Sequence, residues 1–99
     1  MMLESLYQAA ANAGLLQECR WQPVDGRAVE IRWVGFGAPD TGVFDGLGVS
    51  TDYTMTYPNT WLVGLTRQDH LLIAAHPYQV RDIRALGDGS ELRATLTRL

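Results

Sequence analysis

The sequence contains no lysine, and all eight of its basic residues are arginines. Chemistry that needs a lysine is therefore excluded: the phosphate loop of nucleotide-binding enzymes, Schiff-base catalysis and a lysine general base. Eleven acidic residues bring the formal net charge to −3. Because proteins that bind nucleic acid gain affinity by neutralising phosphates, this charge balance argues against a polyanion as the partner.

Cysteine is nearly absent, since Cys19 is the single residue of its type. One cysteine cannot form an internal disulfide, and the usual structural zinc site needs four cysteine or histidine ligands. The N-terminal residues lack the basic region and apolar run of a secretion signal, and no stretch approaches the ~20 apolar residues that span a bilayer. We therefore expect a protein made in a reducing cytoplasm, with no cofactor, no metal and no membrane contact.

The length and the apolar patterning predict one domain over residues 1–99. Apolar residues at three- and four-residue spacing predict a helix over about 2–14, which ends at Gly14. Alternating apolar residues between turn signals predict about six strands. They cover about 19–24, 28–35, 49–57, 70–75, 78–85 and 91–98. These elements favour a mainly β fold: a small antiparallel β-barrel or sandwich with one N-terminal α-helix and a long glycine-rich loop.

The strand predicted over 28–35 has the clearest alternation in the chain. Val29, Ile31 and Trp33 fall on one side of it, and Glu30 and Arg32 fall on the other. The pattern predicts that these two groups point to opposite faces of the sheet.

Three other segments carry more local expectations. Strand 19–24 is short and contains Pro23, which suits an edge position or the end of a strand. A tight corner at 75–77 joins the two strands on either side of it. Segment 59–64 is either a single helical turn or an extended crossing, and the sequence leaves both open.

A glycine-rich stretch covers residues 35–48 and holds five of the ten glycines. It lacks the third glycine and the lysine of a phosphate-binding motif. A long loop without secondary structure is usually functional or disordered, and Phe44 and Leu47 would be poorly buried within it. We predict that these two residues anchor a partner protein, with Asp40 and Asp45 as polar rim or lumen-facing acids.

The titratable residues do not form a recognisable catalytic set. His70 and His76 lie close to Asp69 in sequence, but they are too few for a zinc site, and we interpret them as surface and turn residues. None of the serines lies in a nucleophile elbow, and the carboxylates of the glycine-rich stretch lie on a segment that does not preorganise them. We therefore expect no enzymatic activity.

The aromatic residues of the predicted strands raise the alternative of a small nucleic-acid-binding barrel. The candidates for base stacking are Trp33, Tyr53, Tyr57 and Trp61. Stacking platforms of this kind lie beside a basic groove, whereas Asp52 precedes Tyr53 here. We favour core packing or a protein interface for these side chains.

The order of motifs in the C-terminal half resembles that of the small head-tail joining proteins of lambda-type long-tailed bacteriophages and prophages. The resemblance rests on segment 65–73, on Tyr78 and Val80 in a Tyr-x-Val strand, on the turn at 87–89 and on the terminal strand 92–99. The N-terminal half agrees more loosely. One departure is Gln68, where the family pattern favours glycine before the aspartate.

The resemblance implies a structural virion protein that joins the phage head to the tail. It implies a ring at the neck, in contact with itself, with portal, connector or head-completion proteins and with tail-tube or terminator proteins. A head-completion or tail-terminator role remains a second possibility. We select six residues as candidates for its protein interfaces: Gly37, Asp40, Phe44, Asp45, Leu47 and Trp61.

Overall fold

A computed structural model describes residues 2–38 and 52–99 of the chain. The helix is α1 (Met2–Asn12), and the strands are β1 (Gln17–Trp21), β2 (Glu30–Gly37), β3 (Tyr53–Pro58), β4 (His70–Ile73), β5 (His76–Leu86) and β6 (Glu91–Arg98). The strands form a closed antiparallel barrel in the order β1-β2-β3-β6-β5-β4. The predicted mainly β fold with one N-terminal helix is confirmed, and it is the barrel rather than the sandwich.

The predicted glycine caps the C-terminal end of helix α1. Gly14 has a φ of 77° and donates to the carbonyl of Ala11, and Leu15 donates to the carbonyl of Ala10. This is the Schellman pattern, in which a glycine in the left-handed region lets the last carbonyls find donors. The helical residues end at Asn12 rather than at 14, because the last two residues of the predicted helix form this turn.

Helix α1 packs on the outside of the barrel, beside Gly35 of β2 and Thr56 of β3. Its Tyr7 is buried, and its hydroxyl donates to Glu91 of β6. Of the apolar stripe predicted from the sequence, Leu6 is 60% exposed. The helix therefore uses only part of its apolar side against the barrel.

Strand β1 pairs on both of its sides, with β2 and with β4. The edge interpretation of this segment is therefore wrong, and the reason is that barrel closure leaves no edge. The strand ends at Trp21, before Pro23, which agrees with the alternative that the proline marks a strand end. Because β1 is the first strand of the sheet order and β4 is the last, their pairing completes the barrel.

The core lies inside the barrel and is built from alternate residues of every strand. The side chains with at most 1% exposure are Cys19, Val34, Met55, Tyr57, Ile73, Val80, Ala94 and Leu96. The sequence alternation in β6 puts Leu92, Ala94 and Leu96 on one side and Arg93 on the other. Ala94 and Leu96 are buried, Leu92 is half-buried and Arg93 is exposed. Inward packing of one residue in two is what a small closed barrel requires.

The corner between β4 and β5 lies earlier than predicted. Ala74 and Ala75 form a two-residue turn, and His76 and Pro77 already belong to β5. Both alanines have positive φ, 51° and 68°, as the central residues of a type I′ hairpin turn do. The sequence misleads here because proline usually marks the turn itself, whereas Pro77 lies within the strand that follows.

The remaining boundaries differ by a few residues. Strand β2 begins two residues later than predicted and ends two later, and β3 is described from Tyr53 onward. Segment 59–64 is neither a helical turn nor extended, because it forms successive turns with Leu62 at φ 52° and Gly64 at φ 95°. The turn expected at 87–89 is present and covers 87–90, with Gly87 and Gly89 in the left-handed region.

Substituting Ala75→Gly should stabilise the protein. Alanine pays about 1–2 kcal/mol for a left-handed conformation, and glycine loses about 0.5–1 kcal/mol through chain entropy, so we expect a net gain of about 0.5–1 kcal/mol. Urea denaturation measures the change in the free energy of unfolding. The matched control is Ala85→Gly at an exposed position of strand β5, and this substitution should lower the free energy of unfolding. Destabilisation by Ala75→Gly would contradict the turn geometry.

A buried thiol and a buried tyrosine hydroxyl should make the stability of the protein sensitive to high pH. Burial raises the pKa of the Cys19 thiol from 9.0 to about 12, with a smaller contribution from the nearby Glu30. Burial likewise raises the pKa of Tyr57 from 10.0 to about 12. The unfolded chain ionises at the lower values, so this contribution is complete below about pH 9 and is lost as the pH rises toward 12.

We therefore expect the free energy of unfolding, measured in urea, to fall between about pH 9 and 12, and less steeply in Cys19→Ala. The Cys19 thiol should also resist a disulfide reagent near pH 8 until denaturant is added. Rapid labelling of the folded protein would show that the thiol is not buried as described.

Candidate protein-interaction surface

Four of the six interface residues predicted from the sequence, Asp40, Phe44, Asp45 and Leu47, lie outside the described residues. Gly37 and Trp61 are described. Gly37 ends β2, whereas Trp61 packs beside Arg32 of the same strand, about 17 Å of strand away. The structure therefore does not bring these two residues together.

Gly37 allows β2 and β3 to approach each other closely. It is paired with Thr54, and a Cβ atom at Gly37 would lie 2.7 Å from the Thr54 hydroxyl oxygen. Real Cβ contacts of this length essentially do not occur. The close packing of β2 against β3 therefore explains why glycine occupies this position.

Trp61 joins helix α1 to the barrel. Its ring makes an edge-to-face contact with Tyr7, with centroids 5.5 Å apart, and the Arg32 guanidinium lies 5.0 Å from the ring centroid. Both arrangements are favourable for an aromatic ring. Trp61 is only partly buried, so its contacts are intramolecular on one side and open to solvent on the other.

Beside Trp61, the carboxylate of Glu30 holds segment 59–64 against the barrel. Glu30 Oε2 accepts from the Leu62 backbone N–H at 2.8 Å and from Arg32 Nε at 2.9 Å. Leu62 is buried and has a left-handed backbone, so its N–H needs an acceptor at this place. The alternation of β2 thus points Glu30 and Arg32 inward, at the end of the barrel that segment 59–64 covers.

On the opposite side, Val29 just before β2 and the outward residues of the first half of β2 are apolar and exposed. Val29, Ile31 and Trp33 are 49%, 47% and 45% exposed. The predicted separation of these residues from Glu30 and Arg32 is confirmed, and the apolar group is the outer one. Val34 decides the orientation, because it lies on the same side as Glu30 and Arg32 and is fully buried.

Neighbouring strands extend this apolar surface. In the register of the sheet, Arg20 of β1 lies between Ile31 of β2 and Leu72 of β4, and Glu18 lies opposite Trp33. A groove of about 470 Å³ continues past Leu72 to Leu99. We call this surface the outer apolar face, and its residues are Val29, Ile31, Trp33, Leu72, Pro77 and Leu99, with Glu18 and Arg20 among them.

The two charged residues of the outer apolar face pair with each other. Arg20 Nε lies 3.1 Å from Glu18 Oε1, and the two side chains are 53% and 35% exposed. The pair is neutral as a whole and is surrounded by apolar side chains. Such a surface, apolar with a few polar groups, is typical of sites where proteins bind other proteins.

Sequence reasoning did not select the outer apolar face, although one signal was present. Both sides of the β2 segment contain apolar residues, since Val34 and Phe36 follow the inward parity while Ile31 and Trp33 follow the outward one. One side of a barrel strand must face outward. The sequence therefore implied that one apolar stripe of this strand would be exposed. It did not determine which side of the strand that would be.

The two histidines lie at opposite ends of the β4–β5 hairpin. His70 pairs with Gln79, and His76 pairs with Ile73 next to the turn. Both are exposed, and His76 Nδ1 lies 3.4 Å from an Arg98 nitrogen. Within residues 2–38 and 52–99, no group of three histidine, cysteine or acidic residues is arranged to hold a metal ion.

The helix found in the described part of the chain is too short to cross a membrane. No family model matches the sequence, and the comparison with curated proteins found no match either.

Removing the Glu30 carboxylate should destabilise the protein. Glu30→Ala leaves the Leu62 N–H without its acceptor, and we expect a loss of about 1–3 kcal/mol in the free energy of unfolding. Glu30→Gln retains an acceptor oxygen and should lose less. Urea denaturation of both variants distinguishes the hydrogen bond from the packing of the side chain. Equal losses in the two variants would contradict the role of the acceptor.

Proposed function

We propose that this protein is a structural subunit of a phage neck, where it joins head to tail through protein–protein contacts within a ring. Its partners would be itself, portal, connector or head-completion proteins, and tail-tube or terminator proteins. A head-completion or tail-terminator role is the nearest alternative. The protein would act by surface complementarity and would carry out no reaction.

The observation that carries the proposal is the outer apolar face. Ile31, Trp33 and Leu72 contribute to one surface spread over β2, β1 and β4, where solvent would otherwise contact them. Monomeric proteins rarely leave a continuous apolar surface uncovered unless it binds something. A face on regular strands is also rigid, which suits a protein that must fit a defined neighbour.

Two features of the C-terminal half agree with the family pattern, and the second lies at its departure, Gln68. Tyr78 and Val80 of the Tyr-x-Val strand are both buried. Gln68, at the position where the family pattern favours glycine, has a φ of 73°, a conformation that glycine adopts most easily. These details support the resemblance at the level of backbone geometry.

A nucleic-acid-binding barrel is supported by one observation. Arg84 and Arg93 lie directly opposite each other on β5 and β6, and a like-charge pair in this position is unfavourable unless an anion or an acid offsets it. Asp82 lies 3.0 Å from Arg84 and supplies that offset within the chain. We therefore favour the neck role.

Deleting the gene from its phage or prophage should separate heads from tails. We expect electron microscopy to show filled heads and free tails, and expression of the intact protein to restore tailed particles. Trp33→Glu should fail to restore them, because a charge in the outer apolar face opposes the burial of that face against a partner.

The control is Val63→Glu, which also places a charge at an exposed apolar residue but lies outside the outer apolar face. It should restore tailed particles, and both variants should unfold near the temperature of the intact protein. Normal tailed particles in the deletion strain would refute the neck role. Full restoration by Trp33→Glu would refute the part assigned to this face.

A further inference from the structure

We propose that the outer apolar face binds a second copy of this chain, in a dimer whose two-fold axis crosses β1 between Glu18 and Arg20. The inference goes beyond the neck role and does not depend on it, because it concerns the free protein in solution. It rests on the pattern of charge and side-chain size across the face.

The charge pattern is complementary to itself. Glu18 and Arg20 are two residues apart on β1 and point to the same outer side. A two-fold axis that lies in the interface and crosses the strand between them places Arg20 opposite the partner's Glu18, and Glu18 opposite the partner's Arg20. Each copy keeps the one ion pair within its own strand, and two further ion pairs form between the copies.

The apolar residues follow the same symmetry. Ile31 lies beside Arg20, and Trp33 lies beside Glu18, so the axis places Trp33 opposite the partner's Ile31 on both sides of the contact. Leu72 lies beside Arg20 on the other flank of β1. The two-fold axis places Leu72 opposite the partner's Ala74. Ala74 is the small residue that comes after β4, and its backbone N–H donates to the Glu18 carbonyl. Large side chains therefore meet small or flat ones.

The size of the face indicates a reversible dimer. An exposed apolar patch on a small protein covers on the order of a few hundred Å². A stable interface buries roughly 800 Å² on each partner, so the apolar part alone provides the centre of a small contact. Such a dimer would dissociate when another protein binds the same face more tightly.

Charge reversal tests the two-fold arrangement directly. Glu18→Arg makes both central positions positive, and Arg20→Glu makes both negative, so each variant alone places like charges opposite each other twice. We expect sedimentation of the full chain to show a dimer for the unaltered protein, and a dissociation constant at least about tenfold higher for each single variant.

Mixing the two variants should restore association, because the positive face of one then meets the negative face of the other. The double variant Glu18→Arg with Arg20→Glu should also dimerise, since it exchanges the signs and retains the symmetry. Both should reach a dissociation constant within about threefold of the unaltered protein.

A matched control exists on the far side of the barrel. Asp82 and Arg84 form an exposed pair at the same two-residue spacing on β5, 3.0 Å apart. Asp82→Arg and Arg84→Asp change the net charge by the same amounts and should leave dimerisation unchanged. Unfolding curves of all variants show whether the barrel is intact, and an exposed pair of this kind contributes little to stability.

Several results would overturn the proposal. One is an unaltered protein that stays monomeric at millimolar concentration, and another is dimerisation that the single variants at Glu18 and Arg20 do not weaken. A mixture of the weakened variants that fails to associate would exclude the two-fold contact and would favour a head-to-tail contact or a different partner protein.

Discussion

Closure of the barrel through β1 is the constraint on which the rest of the structure depends. This strand has only five residues, yet it pairs with β2 on one side and with β4 on the other. Once the sheet is closed, every strand has one side in a small interior and one side outside. The two-residue period of β1 therefore places Cys19 and Trp21 inside the barrel, and it places the half-buried Glu18 and the exposed Arg20 outside.

The same constraint explains why apolar residues remain outside. Strand β2 has apolar residues at both parities, and the interior accepts Val34, which shares its side with Glu30 and Arg32. The cost of turning Glu30 inward is offset by its bonds to Arg32 and to the Leu62 N–H. Ile31 and Trp33 then face outward because no register of the strand can bury both sets.

Much of the fold could be predicted from the sequence, since local signals determine it. The helix end at Gly14, the number of strands and the inward residues of β6 follow from glycine conformation and from alternation. The corner at Ala74 and Ala75 could not be predicted, because alanine gives no sign of a left-handed turn. The pairing of β1 with two strands depends on contacts far apart in sequence, which a local pattern does not contain.

The candidate site was harder to predict than the fold, for a related reason. An apolar residue at a strand position predicts burial. Whether the interior or another molecule buries it depends on which side of the strand faces the inside of the barrel. Trp33 and Trp21 are both tryptophans on predicted strands, yet one is 45% exposed and the other 2%. The difference arises from the pairing of β1 and β2, which places them on opposite sides of one sheet.

This arrangement also separates the stability of the barrel from the chemistry of its surface. Glu18 and Arg20 of β1 point away from the Cys19 side of the sheet, so their charge can vary while the core stays unchanged. Trp61 and Glu30 differ in this respect, because they hold α1 and segment 59–64 to the barrel. A surface residue that is independent of the core can be shaped by what it binds, and the charged pair at the centre of the outer apolar face has that independence.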